Sequence, residues 1–233
     1  MSSILMGERL RVSVFGESHG PAIGAVADGL PSGEAADLAA LAGFMARRAP
    51  GGALSTARRE ADAVRVLSGL CGGVTTGAPL CVLIENADAR PGDYRRFAAV
   101  PRPSHADYTA WVKWGGQADM RGGGHFSGRL TAPLCAAGGV CLQILARRGI
   151  TVGAHIARCA GISDAPVDSA ALTAEQLAAI AAKPFPVFDS AAGARMQEAI
   201  LTVRAEGDSV GGVIEAFALG LPAGLGSPMF GGV

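Results

Sequence analysis

A chain of 233 residues suits one large domain or two small ones and can bury about 70–75% of its unfolded-chain surface, so neither disulfide nor metal is needed to hold it. Hydrophobic residues at 49% against charged residues at 17% exclude an intrinsically disordered chain, and zero net charge argues against a protein that coats nucleic acid. Five cysteines (Cys71, Cys81, Cys135, Cys141, Cys159), odd in number and without CxxC spacing, argue against a disulfide framework or zinc knuckle and for a reducing, cytoplasmic setting.

The opening MSSILMGERLRVSV lacks the apolar stretch and small-residue cleavage site of a signal peptide. Residues 9–15 alternate as a strand, with Leu10, Val12 and Val14 on one face. Residues 34–48 read as a helix, acidic at its start and basic at its end as the helix dipole favours. Residues 63–67 and 80–85 are β-like apolar runs, and 86–92 are turn chemistry. Pro133 suits the first turn of a helix running to Arg148, with Leu134, Val140, Leu142, Ile144 and Leu145 for burial. Residues 150–157 read as a strand, 174–182 and 191–205 as helices, and 212–221 as a late strand. Pro184 and Pro186 keep the connection 183–189 out of a helix. Gly and Arg break up the apolar residues, so no membrane-spanning helix of 18 residues is expected. Strands joined by both tight turns and helices make the class α+β.

Of the 20 basic residues 18 are Arg; residues 1–150 carry 16 basic and 12 acidic side chains, residues 151–233 carry 4 and 8. Arg favours bidentate contact with carboxylate or phosphate, so a small anionic ligand in the first 150 residues is a working expectation. Arg47-Arg48 and Arg58-Arg59 flank a Pro-Gly turn and read either as solvated surface or as a clamp for a polyanionic substrate. The 34 glycines, about twice the ordinary usage of roughly 7%, cluster at 16–20 (GESHG), 50–52, 69–73, 121–124 (RGGG) and 207–212, where backbone bends sharply or approaches a ligand. His19, His105 and His125 each lie on a loop at an element's end, where two imidazoles can serve as proton donor and acceptor near neutral pH. No HxH or HxxxH spacing supports a metal site. Neither the Walker GxxxxGK[ST] nor the GxGxxG fingerprint occurs where a nucleotide site would need it.

The motifs FGESHG, TARRE (56–60), LSG…TTG-x-P (67–79), IEN-x-D (84–88), RP-x-HADYT (102–109), RGGG and S-x-R-x-T (127–131), continued by GDSVGG (207–212) and GLPAGLGSPMF (220–230), closely resemble chorismate synthase in the same order across essentially the whole chain. The resemblance implies a β-α-β sandwich of one domain, residues 1–233, and a lyase of the shikimate pathway that feeds aromatic amino acid biosynthesis. That enzyme eliminates phosphate and a ring proton, 1,4-anti, from 5-enolpyruvylshikimate 3-phosphate to give chorismate. It implies reduced FMN as cofactor, NADPH as a candidate reductant, homotetramers when full-length, and neither nucleic acid nor membrane as partner. By motif, Ser18 and His19 would lie at the leaving phosphate, with His19 as proton donor or electrostatic stabiliser. His105 would sit near reduced FMN, Arg48 and Arg129 would contact substrate, and His125, Phe126 and Ser127 would occupy the flavin-contacting triplet.

The chain departs from the pattern at three places: His125 stands where common members have Arg, Leu130 where they have Glu, and Leu54 where they have a second loop Arg. It also ends soon after GLGSP, so the resemblance places a late R-H-D-P motif and further flavin-binding stretches beyond residue 233. A flavin site lacking those walls is expected to bind FMN poorly, and the alternative function is an impaired remnant that binds anions or oligomerises without turnover.

Overall fold

The computed structural model describes residues 4–7, 9–48, 54, 62–87, 100–103 and 105–226. Its contacts group the chain into two compact units, Met1–Ile144 and Leu145–Val233. Each combines antiparallel sheet with helices, as the α+β reading expects.

In chain order the first unit comprises β1 (Ile4–Met6), β2 (Arg11–Gly16), β3 (Ala22–Asp28), α1 (Leu38–Arg48), β4 (Arg65–Ser68), β5 (Leu70–Cys71), β6 (Val74–Thr75), β7 (Leu80–Glu85), α2 (Asp107–Lys113) and α3 (Thr131–Arg147). An antiparallel five-stranded sheet runs β1-β2-β3-β7-β4. Central β3 escapes the alternating pattern because its sequence, AIGAVAD, is small and apolar on both faces, as a strand with neighbours on each side and cover above requires. Cross-strand from Gly24 stands Phe15, whose ring occupies the space that a Cβ at Gly24 would fill. The bulge in β4 turns Leu67 outward.

Helix α1 starts four residues later than the sequence suggests. Glu34 to Ala36 bond instead to the strand of Gly73–Thr75, and the Asp37 carboxylate accepts the N–H groups of Ala39 and Ala40 as cap. The stripe of α3 is also shifted. Ala132, Ala136, Ala137 and Val140 are buried against Ile23, Ala25, Val82 and Leu41, while Leu134 is exposed. Small residues let the helix axis come close to the sheet, so the large Leu turns away. Contrary to expectation, the helical stretch Gly128–Arg147 spans 20 residues and is long and apolar enough to cross a membrane by length and composition. Its buried face is that of a core helix.

The second unit comprises β8 (Thr151–Cys159), β9 (Ile162–Ser163), α4 (Ala174–Ala181), α5 (Ser190–Ala205) and β10 (Gly212–Leu219), with sheet order β10-β8-β9. Thr173 and Gln176 form a reciprocal capping box at the start of α4. Asp189 caps α5. The fourth histidine, His155, is buried between Asp164 (2.8 Å) and Glu215 (3.0 Å), with the Phe217 ring stacked on it and Phe188 edge-on. Burial works against the Asp164 charge, but the N–H groups of Phe188 and Asp189 and the His155 ring hold its carboxyl below the ordinary aspartate range.

Candidate active site

All expected site residues fall in the first unit. Strand β2 ends at Gly16, and the chain turns through Glu17-Ser18-His19-Gly20 before entering β3. Ser18 and His19 are 2% and 5% exposed, so this turn is part of the interior. The RGGG loop packs on it. Ser18 N–H donates to Gly124 O (3.1 Å), Ser18 Oγ accepts from Gly123 N–H (3.3 Å) and lies 3.1 Å from His19 Nδ1. At Gly122 a Cβ would stand 2.4 Å from the His19 ring, and its φ is +63°, so only glycine serves there.

Beside this turn is a cavity of about 420 Å³. One side is aromatic: Phe15, Trp114 and Phe126, the last two stacked with centroids 5.2 Å apart. His125 also lines it, its Nδ1 lying 2.8 Å from Gly16 O. The opposite chemistry comes from Glu17 and Asp119, which also line it. Arg121 grips Asp119 through Nε (2.9 Å) and Nη2 (2.7 Å) and holds its carboxyl below the ordinary range. Burial first, and then Asp119, push the Glu17 carboxyl upward.

Asp107, at the start of α2, also lines the cavity and organises the Arg102–His105 segment. Its carboxylate accepts from Arg102 Nε (2.6 Å), Arg102 Nη2 (2.8 Å) and the Arg102 backbone N–H (3.0 Å), and pairs with His105 Nδ1 at 2.7 Å. Arg102 above all, and then His105, hold the Asp107 carboxyl down at about 2 against the opposing effect of burial.

The remaining two arginines meet at Asp62. Its buried carboxylate pairs with Arg48 Nη1 (2.6 Å) and with Arg129 Nη1. Arg129 Nε donates to Asn86 Oδ1 (3.1 Å), and Asn86 Nδ2 donates to the carbonyls of Glu17 (3.0 Å) and Gly20 (2.8 Å). One polar chain therefore ties Arg48 and Arg129 to the GESHG turn. Among the described residues, Arg48 Nε is buried without a hydrogen-bond partner.

Of the residues singled out in the sequence, His125 and Phe126 line the cavity, and His105 is held by a residue that lines it. Ser18 and His19 adjoin the lining residue Glu17 and pack against RGGG. Ser127 caps the turn that presents Arg129. Leu130, the departure from an expected Glu, sits in the apolar core, where a carboxylate would be costly. The second Arg pair, Arg58-Arg59, and the TARRE motif lie outside the described residues. Sequence reasoning missed Asp62, Asn86 and Asp119. Their polar pairing spans up to 69 positions, and only the IEN motif pointed to one of them, Asn86.

The first unit is an α+β scaffold with a cavity lined by aromatic, carboxylate and imidazole side chains, and comparison with known proteins gives the family. The chorismate synthase family model matches residues 10–233, and the chain belongs to that family. It is 46% identical to the chorismate synthase of Aeropyrum pernix over 98% of its length and 42% identical to that of Lancefieldella parvula over all of it, covering 60% and 64% of those proteins. A solved chorismate synthase structure superposes with a TM-score of 0.72 at 25% identity, over 94% of this chain and 61% of the other. The chain thus spans less than two thirds of the length of these relatives.

Proposed function

We propose that this chain carries the chemistry of chorismate synthase: reduced-FMN-dependent 1,4-anti elimination of phosphate from 5-enolpyruvylshikimate 3-phosphate to give chorismate. The observation that carries the reading is the cavity where the GESHG turn, the His125-Phe126 turn and the His105-orienting Asp107 meet. Phe15, Trp114 and Phe126 offer the flat apolar wall that a flavin ring needs. Arg102 and Arg121 neutralise Asp107 and Asp119, so the lining does not repel an anion as its carboxyls alone would. The residues fit the group, and His125, Phe126 and Ser127 would hold it. When bound, reduced flavin supplies the electron density that eases departure of phosphate.

The chain's own residues do the rest. Ser18 orients the His19 ring through Nδ1, and His19 holds a proton or its charge toward the departing phosphate. Asp107 fixes His105 through Nδ1, so its ring presents a set edge to the cofactor. By the family's motif Arg48 and Arg129 would bind the anionic groups of substrate; here both pair with Asp62. Burial of the turn excludes water from the reacting groups.

Anaerobic incubation of the chain with substrate tests this. Phosphate release above background is expected with reduced FMN and is expected to be absent with oxidised FMN. Release that ignores the flavin's redox state would overturn the reading.

A further inference from the structure

Asn86, the first residue after β7, donates its backbone N–H to Pro21 O (3.1 Å) and spreads its side chain between two groups far from it in sequence. Its Nδ2 donates to Glu17 O (3.0 Å) and Gly20 O (2.8 Å), the two ends of the turn that carries Ser18 and His19. Its Oδ1 accepts from Arg129 Nε (3.1 Å), and Arg129 in turn shares the buried Asp62 carboxylate with Arg48. Two carbonyls demand a donor and a guanidinium demands an acceptor, so the partners themselves fix which way the amide points. The amide is planar, with its oxygen and nitrogen on one carbon, so one side chain sets both groups in register.

Neither group needs Asn86 to keep its own shape. Gly20 N–H closes the turn onto Glu17 O (3.0 Å), and Ser18 N–H braces it against Gly124 O (3.1 Å). Arg129 is held by Asp62 and donates through Nη2 to Glu85 O (3.4 Å), both independently of the amide. What Asn86 adds is the distance and angle between the imidazole turn and the arginine cluster.

We propose that Asn86 is a positioning residue of the candidate site, setting the Ser18-His19 turn against the Arg48–Asp62–Arg129 cluster so that one anionic substrate meets both in fixed geometry. The proposal rests on the reading above that these groups serve one substrate. Misplacing one group relative to the other costs rate more than binding, because each still makes its own contact with the ligand while their mutual geometry is lost.

The test is NMR of the 233-residue chain, with the His19 ring and the Arg129 Nε–H assigned. Asn86→Ala is expected to shift both, while the Ser18 and Gly20 N–H groups stay protected from exchange because the turn remains closed. Asn86→Asp keeps an acceptor for Arg129 but sets an oxygen against the two turn carbonyls. It is expected to leave the Arg129 Nε–H hydrogen-bonded and to displace the His19 ring. Asp62→Asn disturbs the cluster from its far side. It is expected to shift the His19 ring in the wild-type background and to leave it still in the Asn86→Ala background. Where Asp62→Asn fails to fold, Arg48→Lys disturbs the same cluster and replaces it. A His19 ring unmoved by Asn86→Ala, or one that responds to the cluster equally with and without Asn86, would overturn the proposal. In anaerobic assays with reduced FMN, Asn86→Ala is expected to lower kcat for phosphate release at least ~10-fold, with KM within ~3-fold of wild type. A raised KM with unchanged kcat would also overturn it. If the wild type releases no phosphate, the functional reading fails, while the resonances still decide the register.

Discussion

A single methyl group at position 122 has nowhere to go. It would enter the His19 ring and force a left-handed φ of +63° on a residue with a Cβ. Gly122→Ala is therefore expected to cost about 2–4 kcal/mol and to displace the His19 ring. Denaturant unfolding and the His19 ring resonances read both, and an unchanged midpoint would refute the packing described. Asp62 is a second such residue. Its side chain is fully buried between two guanidiniums, and its own φ is +46°. Asp62→Ala leaves two buried cations facing each other and is expected to destabilise by about 3–5 kcal/mol. Asp107 makes a prediction in pH. Its carboxyl is held at about 2 in the folded chain. A depressed folded-state value stabilises above the ordinary aspartate range and is lost as pH falls through the folded value, so this contribution, about 2 kcal/mol, is expected to fade between pH ~4 and ~2. Comparing acid unfolding of wild type and Asp107→Asn isolates it. A wild-type curve that runs parallel to that of Asp107→Asn would contradict the pairing.

At the scale of elements, α3 inverts the ordinary ranking of large and small side chains. Ala136 is fully buried and Leu134 is 37% exposed. Ala136→Leu is expected to cost about 1–3 kcal/mol by overpacking, whereas Leu134→Ala stays within about 1 kcal/mol. Thermal or urea unfolding of the two variants checks the order, and the reverse order would mean that the helix presents another face. This is also where the sequence was only partly legible. The existence of β2, β7, α3, α4, α5, β8 and β10 follows from periodicity and from Pro and Gly placement, with ends off by a few residues. Strand β3 was missed because a strand buried on both faces has no polar alternation to read. The first turn assigned to α1 belongs instead to pairing with β6, a tertiary preference that no local propensity reports.

At the scale of the whole chain, several of the motifs that carry the family resemblance sit in the first unit, at the ends of β2 and β7, at the entry to α2 and just before α3, while GDSVGG (207–212) and GLPAGLGSPMF (220–230) fall in the second. A strand end and a glycine turn are local features, so the Ser18-His19 and His125-Phe126 loops could be found in the sequence. Their supports could not. Asp62 reaches Arg129 across 67 positions and Asn86 reaches the GESHG turn across 69, and such pairings carry no periodic signature. The second unit contributes a buried His155 flanked by Asp164 and Glu215, far less exposed than a lone histidine in a sequence suggests. In the proposed function His19 and His105 serve one phosphate-eliminating site. The most direct measurement is the anaerobic, reduced-FMN-dependent rate of phosphate release for wild type, His19→Ala and His105→Ala, each shown to be folded. Each substitution is expected to slow release at least ~10-fold. Rates unchanged in both would contradict the claim.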